Sequence, residues 1–160
     1  MQTKNSIRFM VHSAVIAALY TTLTLAANSL GLASQAIQIR ISEALTILPV
    51  FTPAAIPGLF IGCILSNILI GSVALDIVFG SLATLIGAIF TYLLRRHKIL
   101  PLLPPIVSNT LIIPFVLAYV YNFEGSVWYF MITVGIGEIL SCGVLGYLLA
   151  AQLRKKINKL

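Results

Sequence analysis

Charged side chains are scarce in this chain of 160 residues. Asp, Glu, Lys and Arg together make up 9% of it, while hydrophobic residues make up 59%. A soluble domain contains about 25% charged residues and uses them to cover its surface. The composition therefore predicts an integral membrane protein, and the length predicts a single transmembrane domain over residues 1–160.

The chain also lacks the sequence motifs of several enzyme classes. It has no GxxxxGK(S/T) phosphate-binding loop, no HExxH motif and no GxSxG motif. Its two cysteines, Cys63 and Cys142, lie far apart in apolar segments, which favours small apolar side chains over a metal site. We therefore expect no enzymatic activity, no metal, no cofactor and no ATP hydrolysis by this chain alone.

Apolar segments dominate what is present. A spanning helix needs about 20 mostly apolar residues, and the predicted helices cover residues 8–30, 39–52, 54–71, 76–94, 102–120 and 127–153. Pro49, Pro53 and Pro57 crowd the second and third helices, so a re-entrant hairpin is the alternative there. We expect the basic start to open the first helix rather than a cleaved signal. The predicted fold class is an all-α membrane protein, a compact six-transmembrane-helix bundle.

Basic residues cluster at alternate helix ends. Nine of the ten lie before the first predicted helix, after the fourth or after the sixth: Lys4, Arg8, Arg95, Arg96, Lys98, Arg154, Lys155, Lys156 and Lys159. With six spans these residues share one side of the membrane, and the positive-inside rule makes that side and both termini cytoplasmic. The net charge of +6 then reflects topology rather than nucleic-acid binding. Arg40 is the exception, on the outer side.

The four acidic residues are placed differently. Glu43 and Asp76 lie near the outer ends of predicted helices, and Glu124 lies in an outer loop. Glu138 lies about 16 Å into the last helix, at 1.5 Å per residue. An unpaired carboxylate at that depth would cost several kcal/mol. It must therefore meet a cation, meet a donor-rich ligand or carry a proton, and we favour a functional role for it.

Several polar side chains allow two interpretations. Arg40 and Glu43, at positions i and i+3, share one helix face, either as an interfacial ion pair or as part of a ligand site. Asp76 either caps its helix or binds a ligand with a free oxygen. Asn67 and Asn109 are either interhelical hydrogen-bonding residues or pocket residues. We favour a binding site, and the predicted substrate-binding residues are Arg40, Glu43, Asn67, Asp76, Asn109 and Glu138.

Small residues form a second pattern. Gly58 and Gly62 make a GxxxG close-packing motif. Ala14 and Ala18 sit four residues apart on the first helix, where they favour either internal packing or a docking groove for a helix of another protein.

The chain resembles the substrate-binding S component of energy-coupling factor (ECF) transporters. The shared features are six short helices, cytoplasmic termini, an Ala-x-x-x-Ala motif in the first helix and the lack of an ATPase motif. The resemblance implies a multi-pass protein of the bacterial plasma membrane. It also implies contact through Ala14 and Ala18 with a transmembrane T component, which works with two ABC-type ATPase subunits.

A narrower resemblance rests on the strings RISEALTILPVF, PGLFIGCILSN, DIVFGSLATLIGA, PPIVSN and GEI. These are similar to the QueT family of S components, which implies uptake of queuosine precursors, in particular preQ1, 7-aminomethyl-7-deazaguanine. A pocket with more acids than bases suits this cationic ligand, because its ammonium and ring N–H groups need acceptors. Thiamine, also cationic, is an alternative ligand. A stand-alone proton-coupled carrier that uses Glu138 is an alternative function.

Overall fold

The computed structural model describes residues 2–31, 40–121 and 125–157, and these residues form helices joined by short connections. The α-helices are α1 (Gln2–Ser29), α2 (Ala55–Leu69), α3 (Ala74–Leu93), α4 (Leu103–Tyr119), α5 (Val127–Glu138) and α6 (Gly146–Ile157). A 3-10 helix, Ile41–Val50, precedes α2, and a shorter one, Leu100–Leu102, precedes α4. A π-helical segment, Ile139–Leu145, joins α5 to α6. The predicted all-α class is confirmed; Glu124 and Lys159 lie outside the described residues.

Within the described ranges, four helices are long and apolar enough to cross a membrane: Asn5–Ser29, Ala74–Leu93, Leu100–Tyr119 and Val127–Ile157. The other two apolar helices, Ile41–Val50 and Ala55–Leu69, are shorter. Length and composition thus support four of the six predicted spans. The count of six crossings and the side of the termini stay predictions.

The second predicted helix differs most from expectation. It is a 3-10 helix of 10 residues, Ile41–Val50, rather than an α-helix over residues 39–52, and residue 39 lies outside the described part of the chain. Pro49 lies inside it and has no backbone N–H, and in an α-helix its ring would clash with the carbonyl of Leu45. A 3-10 helix rises about 2.0 Å per residue, against about 1.5 Å in an α-helix. Ten residues therefore reach about 20 Å, deep into the bundle.

Hydrogen bonds show that successive elements alternate in direction. Ser13 Oγ donates to the Ala54 carbonyl at 2.9 Å and Thr24 Oγ1 donates to Ser42 Oγ at 2.8 Å, so the 3-10 helix runs antiparallel to α1. Thr91 Oγ1 donates to the Pro101 carbonyl at 2.9 Å, where α3 turns into α4. We call this the basic end of the bundle, because Arg95, Arg96 and Lys98 lie beside that turn.

The opposite end is the distal end, where the C-terminal turn of α1, the start of the 3-10 helix, the α2–α3 connection and the C-terminus of α4 meet around one cavity. We call the continuous run of α5, the π-helical segment and α6 the C-terminal helix. It starts at the distal end and returns to the basic end, where Ala150 packs with Ile47 and Leu102. This alternation places the described basic clusters and the acids as the sequence predicts, at different levels of the bundle.

Helices α1 and α2 pack closely because two glycines face α1. A Cβ on Gly58 would lie 2.8 Å from the Ser13 carbonyl oxygen, and one on Gly62 would lie 2.9 Å from the Ala17 carbonyl oxygen. Between these contacts, Tyr20, Leu59 and Cys63 are almost completely buried. The GxxxG prediction of close packing is confirmed, and it fixes the side of α1 that carries Tyr20.

We expect Gly62→Ala to destabilise the protein by about 1–3 kcal/mol, because the added methyl group would be forced against backbone atoms. The measurement is thermal unfolding of purified protein in detergent. Gly143→Ala is the matched control, since the nearest atom to its new Cβ would lie at an ordinary 3.8 Å. Equal melting temperatures for the two variants would contradict the close approach of α1 and α2.

Candidate functional site

A cavity of about 180 Å³ opens at the distal end of the bundle. It lies between α1, α3 and α4, beside the start of the 3-10 helix. Arg40 and Asp76 are the charged residues of its wall, and the other lining residues are Thr24, Ala27, Asn28, Ile70, Ser72, Ile113, Leu117 and Tyr121. The cavity therefore combines apolar side chains with a few polar groups, as small-molecule sites do.

Glu43 lies deeper in the bundle, on the first turn of the 3-10 helix. Its side chain is 1% exposed. Oε1 accepts a hydrogen bond from the hydroxyl of Tyr20 on α1, and Oε2 has no hydrogen-bond partner among the residues that the structure describes. A carboxylate oxygen buried without a donor is costly, which makes it an unusual feature that calls for an explanation.

Glu138 approaches Glu43 from the C-terminal helix. It is 7% exposed; its Oε1 accepts from Asn109 Nδ2 at 2.9 Å and its Oε2 accepts from Cys142 Sγ at 3.1 Å. One ligand atom each from Glu43, Glu138 and Cys142 lie within 4.8 Å of one another. We call Glu43 and Glu138 the acid pair.

The π-helical segment begins directly after Glu138 and contains Cys142. Such segments occur often at functional sites, because they interrupt the regular helix. Here the segment keeps the Cys142 thiol directed at Glu138, while Thr46 of the 3-10 helix donates to Cys142 Sγ at 3.4 Å. Through Cys142, hydrogen bonds therefore connect the 3-10 helix, which carries Glu43, with the helix that carries Glu138.

A small void connects the cavity with the acid pair. It measures about 10 Å³ and is lined by Arg40, Ile113, Val134 and Glu138. Arg40 and Ile113 line both the void and the cavity above it. The polar path therefore runs from Asp76 at the mouth, past Arg40, to Glu138 at the floor.

Asp76 lies in the first turn of α3 but does not cap it. The N-cap position is Val73, without a side-chain cap, and Asp76 Oδ2 instead accepts from the Tyr121 hydroxyl at 2.9 Å. Partial burial raises the pKa of Tyr121, so its hydroxyl stays protonated and can donate. Asp76 is therefore not the N-cap residue, but its place in the first turn of α3 agrees with the predicted complement to the helix dipole, and it also faces the cavity.

Arg40 and Glu43 lie three residues apart at the start of the 3-10 helix, and their charges interact although no side-chain hydrogen bond between them is present. Arg40 precedes the 3-10 helix as its N-cap residue, with extended backbone angles of φ −99° and ψ 96°. Its guanidinium is not the hydrogen-bond partner of Glu43, which bonds to Tyr20. The extended backbone sends Arg40 into the cavity and leaves Glu43 in the core.

The two asparagines have different surroundings. Asn109 is 3% exposed and binds Glu138 directly. Asn67 is also buried, but its amide donates to Cys63 Sγ at 3.6 Å, one turn earlier on α2. Its Nδ2 lies 3.3 Å, and Asp76 Oδ1 lies 3.7 Å, from the position that a Cβ on Gly80 would take. Asn67 therefore approaches α3 near Gly80 but does not line the cavity, and because its hydrogen bond lies within α2, the interhelical alternative stays a prediction.

The structure thus groups Glu43, Asn109 and Glu138 in one cluster and places Arg40 and Asp76 in the cavity above it. Three further residues belong to the site: Tyr20, Tyr121 and Cys142. Tyr20 had a usable signal, because a Tyr hydroxyl within an apolar helix needs a buried partner. Cys142 had one as well, since it follows Glu138 by four residues on the same helix.

The acid pair and Cys142 are the described residues whose atoms lie close enough to hold a metal ion. The same arrangement could equally stabilise an organic cation, because the carboxylates are buried with neutral donors. The prediction of no metal stays a prediction.

Ala14 and Ala18 lie on a separate surface. Both are exposed and line an apolar groove of about 490 Å³ between α1 and α2, together with Phe9, Met10, Ser13, Ala17, Pro57, Ile61 and Leu65. Of the predicted alternatives, the structure therefore favours a groove over internal packing for these two alanines.

Comparison with known proteins identifies the family. The QueT transporter family model matches residues 10–155, so the chain belongs to this family and has a role in transport. No curated protein and no solved structure gives a significant match.

We expect Tyr20→Phe to lower stability by about 1–3 kcal/mol, because it leaves the buried Glu43 carboxylate without its donor. A double-mutant cycle with Glu43→Gln, measured by thermal unfolding in detergent, checks whether the loss depends on Glu43. Tyr147→Phe is the control, since that side chain is 52% exposed. Additive effects of the Tyr20 and Glu43 changes would contradict the coupling.

Proposed function

We propose that this member of the QueT transporter family is the substrate-binding S component of an ECF-type importer. Its ligand is a queuosine precursor, preQ1, captured from outside a bacterial cell. The observation that carries the proposal is the buried acid pair beneath a cavity lined by Arg40 and Asp76.

The chemistry of preQ1 matches the groups along this path. Its guanine-like edge presents adjacent N–H donors that suit a carboxylate, and its ring carbonyl suits a donor such as Arg40. Its aminomethyl group is cationic and forms charge-assisted hydrogen bonds with carboxylates. An anionic vitamin would require several basic groups, whereas Arg40 is the basic residue that lines the cavity.

The proposed uptake cycle uses two separate surfaces, the cavity at the distal end and the groove at Ala14 and Ala18. The cavity at the distal end faces the outside, and the basic end faces the cytoplasm, as the positive-inside rule requires. The groove at Ala14 and Ala18 receives a helix of the T component, whose small-residue contact allows close approach. ATP hydrolysis in two ABC-type ATPase subunits then drives reorientation of the loaded S component.

We expect purified protein to bind preQ1 saturably in calorimetry, and Glu43→Gln and Glu138→Gln to weaken binding by about 10-fold or more each. The reason is that each change removes a charged acceptor, worth about 1.5–3 kcal/mol. Lys98, which is exposed at the basic end of the bundle, offers a control position outside the cavity. Normal binding by both glutamine variants would contradict the carboxylate site, and tight binding of thiamine in place of preQ1 would contradict the ligand.

We expect Ala14→Trp combined with Ala18→Trp to abolish ATP-driven uptake while sparing preQ1 binding, because the indoles fill the groove and leave the cavity untouched. The measurement is uptake into proteoliposomes that contain the partner subunits, alongside calorimetry.

Val15→Trp combined with Leu19→Trp is the matched control, since both residues are exposed on α1 but lie outside the groove lining. Full uptake by the variant that combines Ala14→Trp and Ala18→Trp would contradict the docking of the T component in the groove. Uptake by the protein alone, lost when the proton gradient is dissipated, would instead favour the proton-coupled carrier.

A further inference from the structure

We propose that the acid pair is the subsite for the ligand's cationic group, and that it makes the site select a cationic ring over a neutral ring of the same shape. This inference rests on the proposed function. It assigns the cationic arm of the ligand to Glu43 and Glu138, and the ring to Asp76 with Arg40.

Among the described residues, the hydrogen-bond donors to the acid pair are neutral, while Arg40 brings one positive charge close to both carboxyl groups. Tyr20 contributes a hydroxyl, Asn109 an amide and Cys142 a thiol. Three of the four carboxylate oxygens accept from these groups, and Glu43 Oε2 accepts from none. Two carboxyl groups within 4.8 Å in a low-dielectric interior repel each other when both are charged. Arg40 offsets one of the two negative charges, and a cationic group of the ligand beside Glu138 would offset the other.

The void beside the acid pair, lined by Glu138 and Arg40 but not by Glu43, has room for an ammonium group. Its volume of about 10 Å³ is close to the room that one water molecule needs, and an ammonium group is of similar size. The void is too small for a ring, which must stay in the cavity of about 180 Å³ above it. A ligand with a cationic arm on a planar ring therefore fits with its arm directed inward past Arg40 and Ile113.

Asp76 is left for the other end of the ligand. It lines the cavity but not the void, and its Oδ2 already accepts from Tyr121. Asp76 and Arg40 thus face the ring, as acceptor and donor for its polar edge. The geometry assigns ring recognition to this pair and charge recognition to Glu43 and Glu138.

The test compares two ligands that differ only in the arm: 7-aminomethyl-7-deazaguanine and its neutral 7-cyano analogue. Calorimetry on the wild-type protein should show a preference for the amine of about 10-fold or more, the value of a hydrogen bond to a charged group. Glu43→Gln and Glu138→Gln should each reduce this preference, mainly by weakening the amine. Asp76→Asn should weaken both ligands by a similar factor and keep the preference.

The outcomes separate the two proposals. Binding of neither ligand by the wild-type protein would overturn the proposed function. Equal affinity of the wild-type protein for both ligands would overturn the assignment of the acid pair while leaving the function in place. Loss of the preference in Asp76→Asn alone would move the cationic subsite to the mouth of the cavity. A stoichiometric divalent metal in the purified protein, lost in Glu43→Gln, would assign the acid pair to a metal and also overturn the inference. The wild-type comparison needs no variant, so poor folding of a glutamine variant leaves the test decisive.

Discussion

Two carboxyl groups buried within 4.8 Å of each other impose the main constraint on this structure. Burial of charge in an apolar bundle is tolerated when donors surround it. The donors come from three different helices, with Tyr20 on α1, Asn109 on α4 and Cys142 on the C-terminal helix. The acid pair therefore determines which faces of these helices turn inward, and the apolar packing follows that arrangement.

The 3-10 helix is the element that makes this arrangement possible. Seven of its residues are buried, Glu43 among them, so it crosses the centre of the bundle rather than its edge. An α-helix of the same ten residues would be about 5 Å shorter, from the difference in rise per residue. The close approach of α2 to α1 at Gly58 and Gly62 keeps Tyr20 within reach of Glu43.

Composition and periodicity predict most of the fold, because membrane-spanning helices need long apolar runs that are visible in the sequence. Glu138 was also predictable as a buried carboxyl group with a polar partner, since a carboxylate at that depth has few alternatives. The 3-10 geometry was not, because Pro49 indicates an irregular helix without specifying which kind. The partners of the acids were not predictable either: Tyr20 meets Glu43 and Tyr121 meets Asp76 through tertiary contacts between residues distant in sequence.

The π-helical segment Ile139–Leu145 also separates two requirements that one helix has to satisfy. Before it, α5 must hold Glu138 at a fixed depth and rotation relative to Asn109. After it, α6 must place Arg154, Lys155 and Lys156 in its last turn, where basic side chains anchor a helix at the membrane surface. The wider turn resets the helical register between them. The direction in which the basic side chains point is therefore set separately from that of the Glu138 carboxylate.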